Sequence, residues 1–225
     1  MTVAHHDLMA VPPEIRPVAA LEVAAQGKID LEDVREAAAG CRACDLWARA
    51  TQTVFGRGPM PARLMLVGEQ PGDQEDVRGQ PFVGPAGRIL DRALEDAGID
   101  RATVFVTNVV KHFKWRPAPS GKRRLHERPN RAEIGACLPW VESELALVRP
   151  EALVLLGATA AKALAGSKVR VTRDHGSALA SELAPLVVAT IHPSAVLRAR
   201  GGEARDAAYA GLVADLVRVM QLLGV

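Results

Sequence analysis

The amino-acid sequence predicts an α/β fold, a three-layer sandwich in which helices flank a central four-stranded parallel sheet. Four short and mostly apolar runs, at residues 64–68, 103–110, 152–157 and 186–191, have the length and composition of buried strands. Helical patterns separate these runs along the chain. Strands that are apolar on both faces and alternate with helices are typical of a parallel sheet that is covered on both sides.

Each helical pattern carries its own signal. The first begins near residue 29 and runs towards Cys41. Pro85 favours the first turn of a helix, and it opens a second pattern with one apolar face. Asn130 and Glu133 form a capping pair at the start of a third helix. An alanine-rich helix follows the third strand as far as Leu164, and a last helix covers about residues 203–223.

Composition limits the class of protein. The chain has 225 residues, of which 48% are hydrophobic and 24% charged, which is enough to bury one core. We expect a single domain at residues 29–225, preceded by a flexible extension at residues 1–28. No run is apolar enough to span a membrane, and the N-terminus lacks the basic start of a signal peptide, so we expect a cytoplasmic monomer with no membrane partner. Three cysteines in such a chain favour metal or cluster ligation, or simple burial, over disulfide bonds.

Polar residues cluster where the predicted strands end. After the first strand come Glu69, Gln70, Gly72 and Asp73, at the end of the second lies Asn108, and after the fourth come His192 and Ser194. Sites in parallel α/β sheets lie beyond the carboxyl ends of the strands, so we expect these side chains to share one site. Each has a plain structural explanation as well, because a glycine-rich segment is usually a turn and a lone histidine is more often structural than catalytic.

A strongly basic segment follows the second strand. Residues 111–131 contain eight Lys or Arg and one Glu, whereas the net charge of the whole chain is +2. So concentrated a patch fits a phosphate backbone, since neutralised phosphates release their counterions. On charge alone, a solvated surface loop is the favoured interpretation. The segment contains no phosphate-loop motif, because Gly121 and Lys122 are followed by Arg123 where that motif needs Ser or Thr.

The motifs and their order resemble those of the iron-sulfur uracil-DNA glycosylases, family 4 and its relatives. The resemblance is carried by residues 68–73 (GEQPGD), 79–87 (GQPFVGPAG), 107–111 (TNVVK) and 192–194 (HPS), and it extends from about Cys41 to Leu223. Gln70 and the inserted loop 121–126 (GKRRLH) are similar to the UdgX-type branch, whose members react with uracil-DNA and stay covalently joined to it. The resemblance implies a uracil-DNA glycosylase-like fold and a DNA-repair hydrolase that binds uracil-containing DNA.

The same resemblance implies a [4Fe-4S] cluster. Family-4 enzymes hold it with four cysteines, whereas this chain has only Cys41, Cys44 and Cys137. His112 stands where the family has its remaining cysteine, so these four residues are the implied metal ligands. On the ligand set alone a structural zinc is the favoured alternative, since three cysteines and a histidine are a common zinc set.

Roles in base excision follow from the resemblance, motif by motif. His192 is the donor that stabilises the charge growing on O2 of the departing uracil. Asn108 reads the edge of the flipped base, and Phe82 stacks on its ring. The remaining uracil-binding residues belong to the turn after the first strand, namely Gln70, Gly72 and Asp73.

The resemblance also assigns the fate of the sugar. His126 is the nucleophile that joins C1′ of the abasic site, and Glu69 orients it. The implied DNA contacts are Lys122, Arg123, Arg124, Ser194 and Arg198. We expect the cations beside His126 in the basic loop to keep its imidazole neutral, as a nucleophile must be. The protein then acts once, releases free uracil and stays on the DNA.

Two alternatives remain open. The closest is a turnover uracil-DNA glycosylase that releases uracil and a free abasic site, with His126 only a phosphate contact. The other is a non-catalytic nucleic-acid-binding module stapled by zinc. Such a module needs no carboxylate and histidine at the strand ends, so Glu69, Asn108 and His192 favour an enzyme.

Overall fold

The computed structural model describes residues 30–121 and 123–224, so the predicted extension at residues 1–28 and Lys122 lie outside the described residues. Its helices and strands are α1 (Leu31–Ala39), β1 (Leu64–Gly68), α2 (Asp73–Arg78), α3 (Pro85–Asp96), β2 (Val104–Asn108), β3 (Trp115–Pro117), β4 (Arg124–His126), α4 (Arg131–Val148), β5 (Ala152–Leu156), α5 (Gly157–Leu164), α6 (Val171–Asp174), β6 (Leu186–Thr190), α7 (Pro193–Arg198) and α8 (Gly202–Leu222). Short 3-10 helices lie at Asp45–Ala48 and Arg101–Thr103. Within the described ranges no helix is both long and apolar enough to cross a membrane.

The central sheet has the strand order β2-β1-β5-β6, and every neighbouring pair is parallel. The predicted α/β sandwich with a four-stranded parallel sheet is therefore confirmed. The register pairs Gly68 with Asn108 and Leu156 with Thr190. Because the strands are parallel and in register, the segments that follow β1, β2, β5 and β6 all emerge at one edge of the sheet.

Helices cover both faces of the sheet. Met65 and Val67 of β1 point into a core that includes residues of α1, α4 and α5. Leu64 and Leu66 point to the other face, into a core built with α3 and α8. Successive side chains of a strand alternate between faces, so a strand buried on both sides has to be apolar throughout. The central strands can therefore be recognised in the sequence as short, uninterrupted apolar runs.

The predicted elements differ from the observed ones mainly where elements are short. The strand at Leu64–Gly68 is as predicted, and Asn130 and Glu133 form the predicted reciprocal cap at the start of α4. The basic segment, in contrast, contains the hairpin β3–β4, which the sequence analysis treated as a loop. The turns at Gly72 and His192 lead directly into α2 and α7, which were not predicted. Strands of three residues and helices of six are too short to display a period.

Candidate active site

The structure brings the predicted site residues together around one cavity at the carboxyl edge of the sheet. The cavity has a volume of about 1000 Å³. It is bordered by the turn after β1, the end of β2, the strand β4 and the start of α7. Of the predicted residues, the lining includes Glu69, Gln70, Gly72, Asp73, Phe82, Asn108, Arg123, Arg124, His126, His192, Ser194 and Arg198.

Asn108 and Phe82 meet over the end of β1. Asn108 is 2% exposed and Phe82 is 6% exposed. A Cβ on Gly68 would lie 2.4 Å from Oδ1 of Asn108 and 2.8 Å from Cζ of Phe82, so only glycine lets both side chains approach the strand. The ring of Phe82 also stacks against His192, with 6.1 Å between the ring centroids. An amide beside an aromatic face is suited to bind the edge and the face of a planar base.

His192 is the N-cap of α7, and the residues after it set its tautomer. Its Nδ1 accepts the backbone N–H of Ser194 at 3.1 Å and lies 2.7 Å from the Ser194 hydroxyl oxygen. Nη1 of Arg198 donates to that oxygen at 2.8 Å, which leaves the hydroxyl proton to point at Nδ1. Burial, with Arg198 and His126 adding to it, lowers the pKa of His192 to about 4. The neutral ring therefore carries its proton on Nε2 and offers it as a donor.

The buried side-chain amide of Gln70 joins the turn after β1 to the β3–β4 hairpin. Its Oε1 accepts the N–H of Lys114 at 3.0 Å, which identifies the other end of the amide as the nitrogen. That nitrogen lies 2.9 Å from the Glu127 carbonyl oxygen and 2.9 Å from Nε2 of His126. A donor in this position requires Nε2 of His126 to present its lone pair. Gln70 was predicted to bind uracil, but its side-chain amide is hydrogen-bonded to the hairpin.

His126 ends β4 at the mouth of the cavity, with its side chain 50% exposed. Nε2 lies 3.4 Å from Oε1 of Glu69. Partial burial of the ring is the main cause that lowers the pKa of His126, Arg198 lowers it further, and Glu69 opposes them. The lowered pKa agrees in direction with the prediction. Burial and Arg198 of α7 lower it, and neither Arg123 nor Arg124 is among the causes; Lys122, the third cation of the prediction, lies outside the described residues.

Glu69 is held by two residues that sequence reasoning missed. The hydroxyl of Thr159 donates to Oε2 of Glu69. Nε of Arg128 donates to that hydroxyl oxygen at 3.2 Å and lies 4.0 Å from Oε2 of Glu69. Thr159 is 4% exposed and lies in the first turn of α5, directly after β5. Its position just beyond the carboxyl end of a strand predicts a site residue, but the alanine-rich sequence around it is equally typical of a helix that only packs on the sheet.

Arg124 anchors the hairpin to α2. Its Nε lies 2.5 Å from Oδ1 of Asp73, and its Nη1 lies 2.6 Å from Oδ2 of Asp76. Asp76 is fully buried and also accepts the N–H and the hydroxyl of Thr51, at 2.9 and 2.6 Å. Two carboxylates therefore balance the charge of Arg124. Arg123 is exposed at the cavity, so it is the better placed of the two arginines to meet a phosphate.

The sequence matches the family model of the uracil DNA glycosylase superfamily over residues 55–217. This chain belongs to that superfamily. It is 37% identical over 176 residues to the Type-4 uracil-DNA glycosylase of Thermotoga maritima, which covers 78% of this chain and 87% of the relative. It is 38% identical over 177 residues to the Type-4 uracil-DNA glycosylase of Pyrobaculum aerophilum, covering 76% of this chain and 86% of the relative. All the predicted cavity residues fall inside the stretch that matches the superfamily.

In this uracil-DNA glycosylase superfamily member, the three cysteines are free thiols. Cys41 and Cys137 are buried, and Cys44 is partly buried. Burial raises the pKa of Cys137 to about 12, and the neighbouring thiols Cys41 and Cys44 add to the shift. Burial also raises the pKa of Cys44, to which Cys41 contributes. The three sulfur atoms are therefore close enough to influence one another.

The predicted fourth ligand, His112, comes from the segment after β2. It directly follows Lys111, whose backbone N–H donates to Sγ of Cys137 at 3.3 Å. His112 is 4% exposed, and burial lowers its pKa to about 4, so its imidazole is neutral and able to bind a metal. Among the described residues, no group of three or more Cys, His, Asp or Glu is arranged to hold a single metal ion.

Proposed function

We propose that this protein excises uracil from DNA and then joins His126 covalently to C1′ of the abasic site. One observation carries the covalent step. Gln70 donates to Nε2 of His126 at the mouth of the cavity, so Nε2 is the ring nitrogen without a proton, and its lone pair can attack once this hydrogen bond opens; Oε1 of Glu69 lies 3.4 Å away, where it can offset a charge that forms on the ring. A neutral imidazole with a directed lone pair is a competent nucleophile for an electrophilic carbon.

Excision begins when the uracil nucleotide leaves the base stack and enters the cavity. There Asn108 would bind the edge of the base and Phe82 its face, as their contact over Gly68 supports. The N-glycosidic bond then breaks, and its electron pair leaves with uracil, so negative charge grows on O2. The Nε2–H of His192 would stabilise this charge, and the relay from Arg198 through Ser194 to Nδ1 keeps that proton on Nε2.

The covalent step starts from the cation left at C1′. The Nε2 lone pair of His126 forms a carbon–nitrogen bond to C1′, and the imidazole becomes a positively charged imidazolium that keeps its Nδ1 proton. Glu69, held by Thr159, would offset this charge from 3.4 Å. The uracil anion takes a proton from water and leaves. The bond between C1′ and the imidazole nitrogen is not readily hydrolysed when water is excluded, so each protein molecule would act once.

A turnover uracil-DNA glycosylase is the second candidate. The Type-4 names of the relatives from Thermotoga maritima and Pyrobaculum aerophilum favour it. The position of Glu69 favours it too, because a carboxylate that lines the cavity can orient a water molecule towards C1′. In this candidate, His126 only assists binding at the cavity mouth.

We also propose that Cys41, Cys44, His112 and Cys137 hold a [4Fe-4S] cluster. The donor set fits, because Cys41 and Cys137 are buried, Cys44 is partly buried, and thiols with raised pKa values need a positive partner to ionise. When bound, the cluster would supply structural cross-linking of the segment before the 3-10 helix, the end of β2 and α4.

The cluster proposal has a test that does not depend on activity. The purified protein should contain iron and acid-labile sulfide in equal amounts, and Cys137→Ser should lower both together with the melting temperature. Zinc without sulfide would contradict the cluster and support the structural zinc.

We propose that residues 29–225 act as one domain and as a monomer. The cavity needs no second subunit to be complete, because residues of the turn after β1 and of β2, β4 and α7 of one chain line it.

The function is tested by incubating the protein with a uracil-containing oligonucleotide and boiling the mixture in SDS before electrophoresis. A heat-stable shifted band supports the covalent adduct. Free DNA with an abasic site supports the turnover enzyme. Intact DNA that is bound before boiling supports a non-catalytic nucleic-acid-binding module.

A further inference from the structure

A cluster of aromatic and basic side chains lies on the surface beside the hairpin. Trp47 in the 3-10 helix is 40% exposed, and the guanidinium of Arg42 lies 4.5 Å from its ring centroid. Arg49 lies 4.7 Å from the ring centroid of Trp115 in β3, and the indole N–H of Trp115 donates to the Arg49 carbonyl at 2.9 Å. We call these four residues the aromatic-basic surface.

This surface is continuous with the cavity. Arg124 lines the cavity, and its guanidinium carbon lies 5.5 Å from the ring centroid of Trp115. Trp115 also pairs with His126 across the hairpin. A nucleic-acid strand that delivers a base to the cavity, with its sugar beside His126, therefore has the aromatic-basic surface as its next contact on this side.

The surface carries unbalanced positive charge. Within residues 30–121 and 123–224, no carboxylate lies within 4.0 Å of the guanidinium groups of Arg42 or Arg49. Asp45 is the acidic residue of the adjoining 3-10 helix. Arg124, in contrast, is matched by two carboxylates. The charge pattern thus separates arginines that hold the protein together from arginines that face solvent.

We propose that the aromatic-basic surface binds the single-stranded DNA that flanks the target uracil, with one unpaired base stacked on Trp47 and phosphates against Arg42 and Arg49. Exposed aromatic rings between cations are how proteins hold single strands, because every base has a face that can stack and the backbone is anionic. A paired duplex keeps its base faces covered, so the surface distinguishes single strands from duplexes. The inference rests on the proposed function, since it takes uracil-containing DNA as the substrate.

The decisive variant is Trp47→Ala, matched by Met60→Ala. Both remove an exposed apolar side chain, 40% and 46% exposed, but Met60 lies before β1, at the opposite edge of the sheet. Uracil release at low protein concentration is measured on three single strands, with uracil in the centre, near the 5′ end or near the 3′ end. Loss of one stacked base should lower the rate by about tenfold on the central substrate and on one end substrate, and leave the other unchanged.

Further results are expected from the same assays. Met60→Ala should release uracil at the wild-type rate from every substrate. Trp47→Ala reaches the wild-type rate at saturating protein, because binding rather than chemistry is weakened, and it equals wild type on duplex uracil-DNA. Arg49→Gln lowers the dependence of single-strand affinity on salt by about one counterion, whereas Arg149→Gln, at the far end of α4, does not.

The proposal is overturned if Trp47→Ala matches wild type on every single strand, or if it loses rate equally on all three substrates and on duplex. If wild type releases no uracil, the proposed function fails instead, and the surface is then tested with uracil-free single strands by fluorescence anisotropy. In that case, weaker binding by Trp47→Ala than by Met60→Ala supports the surface, and equal binding overturns it.

Discussion

The strand-end pocket and the β3–β4 hairpin contribute to the same cavity but are held in different ways. The pocket residue Asn108 ends a buried strand, is 2% exposed and is fixed by packing over Gly68. The hairpin residue His126 has a side chain that is 50% exposed and accepts a hydrogen bond from Gln70, with Glu69 3.4 Å away. In the proposed mechanism, recognition of the base therefore depends on core packing, whereas the fate of the sugar depends on a few hydrogen bonds and ion pairs.

This difference has a consequence for variants. Changes in the hairpin leave the sheet and its buried strands intact, so they should separate adduct formation from uracil release. Changes in the pocket should affect both, because no cation forms at C1′ unless the base departs.

The largest expected effect comes from the nucleophile. His126→Ala should abolish the heat-stable protein–DNA band, because the imidazole whose lone pair faces Gln70 is gone. Uracil release should continue, since His192 and Asn108 are untouched. The band is measured by SDS electrophoresis after boiling, and free uracil by chromatography.

His175→Ala is the matched control for this variant, since it removes another half-exposed histidine, one paired with Asp215. It should form the adduct at the wild-type rate. An adduct that persists in His126→Ala would show that the nucleophile assignment is wrong.

The next effect belongs to the pocket. His192→Ala removes the Nε2–H donor, and loss of one such donor should lower single-turnover uracil release by about 10²- to 10³-fold. The adduct should slow by the same factor, because its formation waits for the base to leave. Rapid-quench measurements of uracil and of the adduct from the same samples compare the two rates. Adduct formation that slows while uracil release does not would contradict the order of steps.

A smaller effect is expected from the anchor of the hairpin. Arg124→Gln removes the ion pairs to Asp73 and Asp76, two charge-assisted contacts at 2.5 and 2.6 Å. The loosened hairpin should slow adduct formation by about tenfold at saturating DNA, since hydrogen bonds to charged groups contribute about 1.5–3 kcal/mol. Uracil release should change little, because the strands that carry the pocket do not depend on this anchor.

Arg123→Gln is the control for that anchor, because Arg123 is the neighbouring arginine and is exposed at the cavity. It should weaken DNA binding and lower its salt dependence by about one phosphate contact, with the adduct rate at saturation unchanged. If the two variants behave alike, Arg124 acts as a phosphate contact as the sequence analysis predicted.

The same contrast explains what could be predicted from the sequence. The strand Leu64–Gly68 is apolar at each buried position, and the Asn130 cap has its partner three residues away, so local patterns predict both. The strand-end rule then brings Asn108 and His192 to one cavity. These features depend on burial and on neighbours in the chain, which a sequence displays directly.

The hairpin depends on contacts that a single sequence does not display. Thr159 reaches Glu69 across 90 residues, and Gln70 reaches His126 across 56. In the run of Lys122, Arg123 and Arg124, charge alone cannot tell which arginine faces carboxylates and which faces the cavity. Only the folded chain separates them, through the position of α2, a helix too short to be predicted.

The smallest expected effect is that of acid, and it compares the two histidines directly. Both must be neutral to act, and both have lowered pKa values: that of His192 is about 4, and that of His126 is lowered chiefly by partial burial. A lowered pKa keeps a histidine neutral further into acid, so uracil release should stay nearly level from about pH 8 to about pH 6, where an ordinary histidine would already be mostly protonated. Adduct formation should decline at a pH below the ordinary histidine value. Arg198 lowers the pKa of both rings, so Arg198→Gln should raise both values and move the acid decline of each rate to higher pH. Rates measured at constant ionic strength give the two midpoints, with Arg149→Gln as the control that should leave them unchanged. A wild-type midpoint near the ordinary histidine value, or an Arg198→Gln profile that does not move, would mean that burial and Arg198 do not keep these rings neutral.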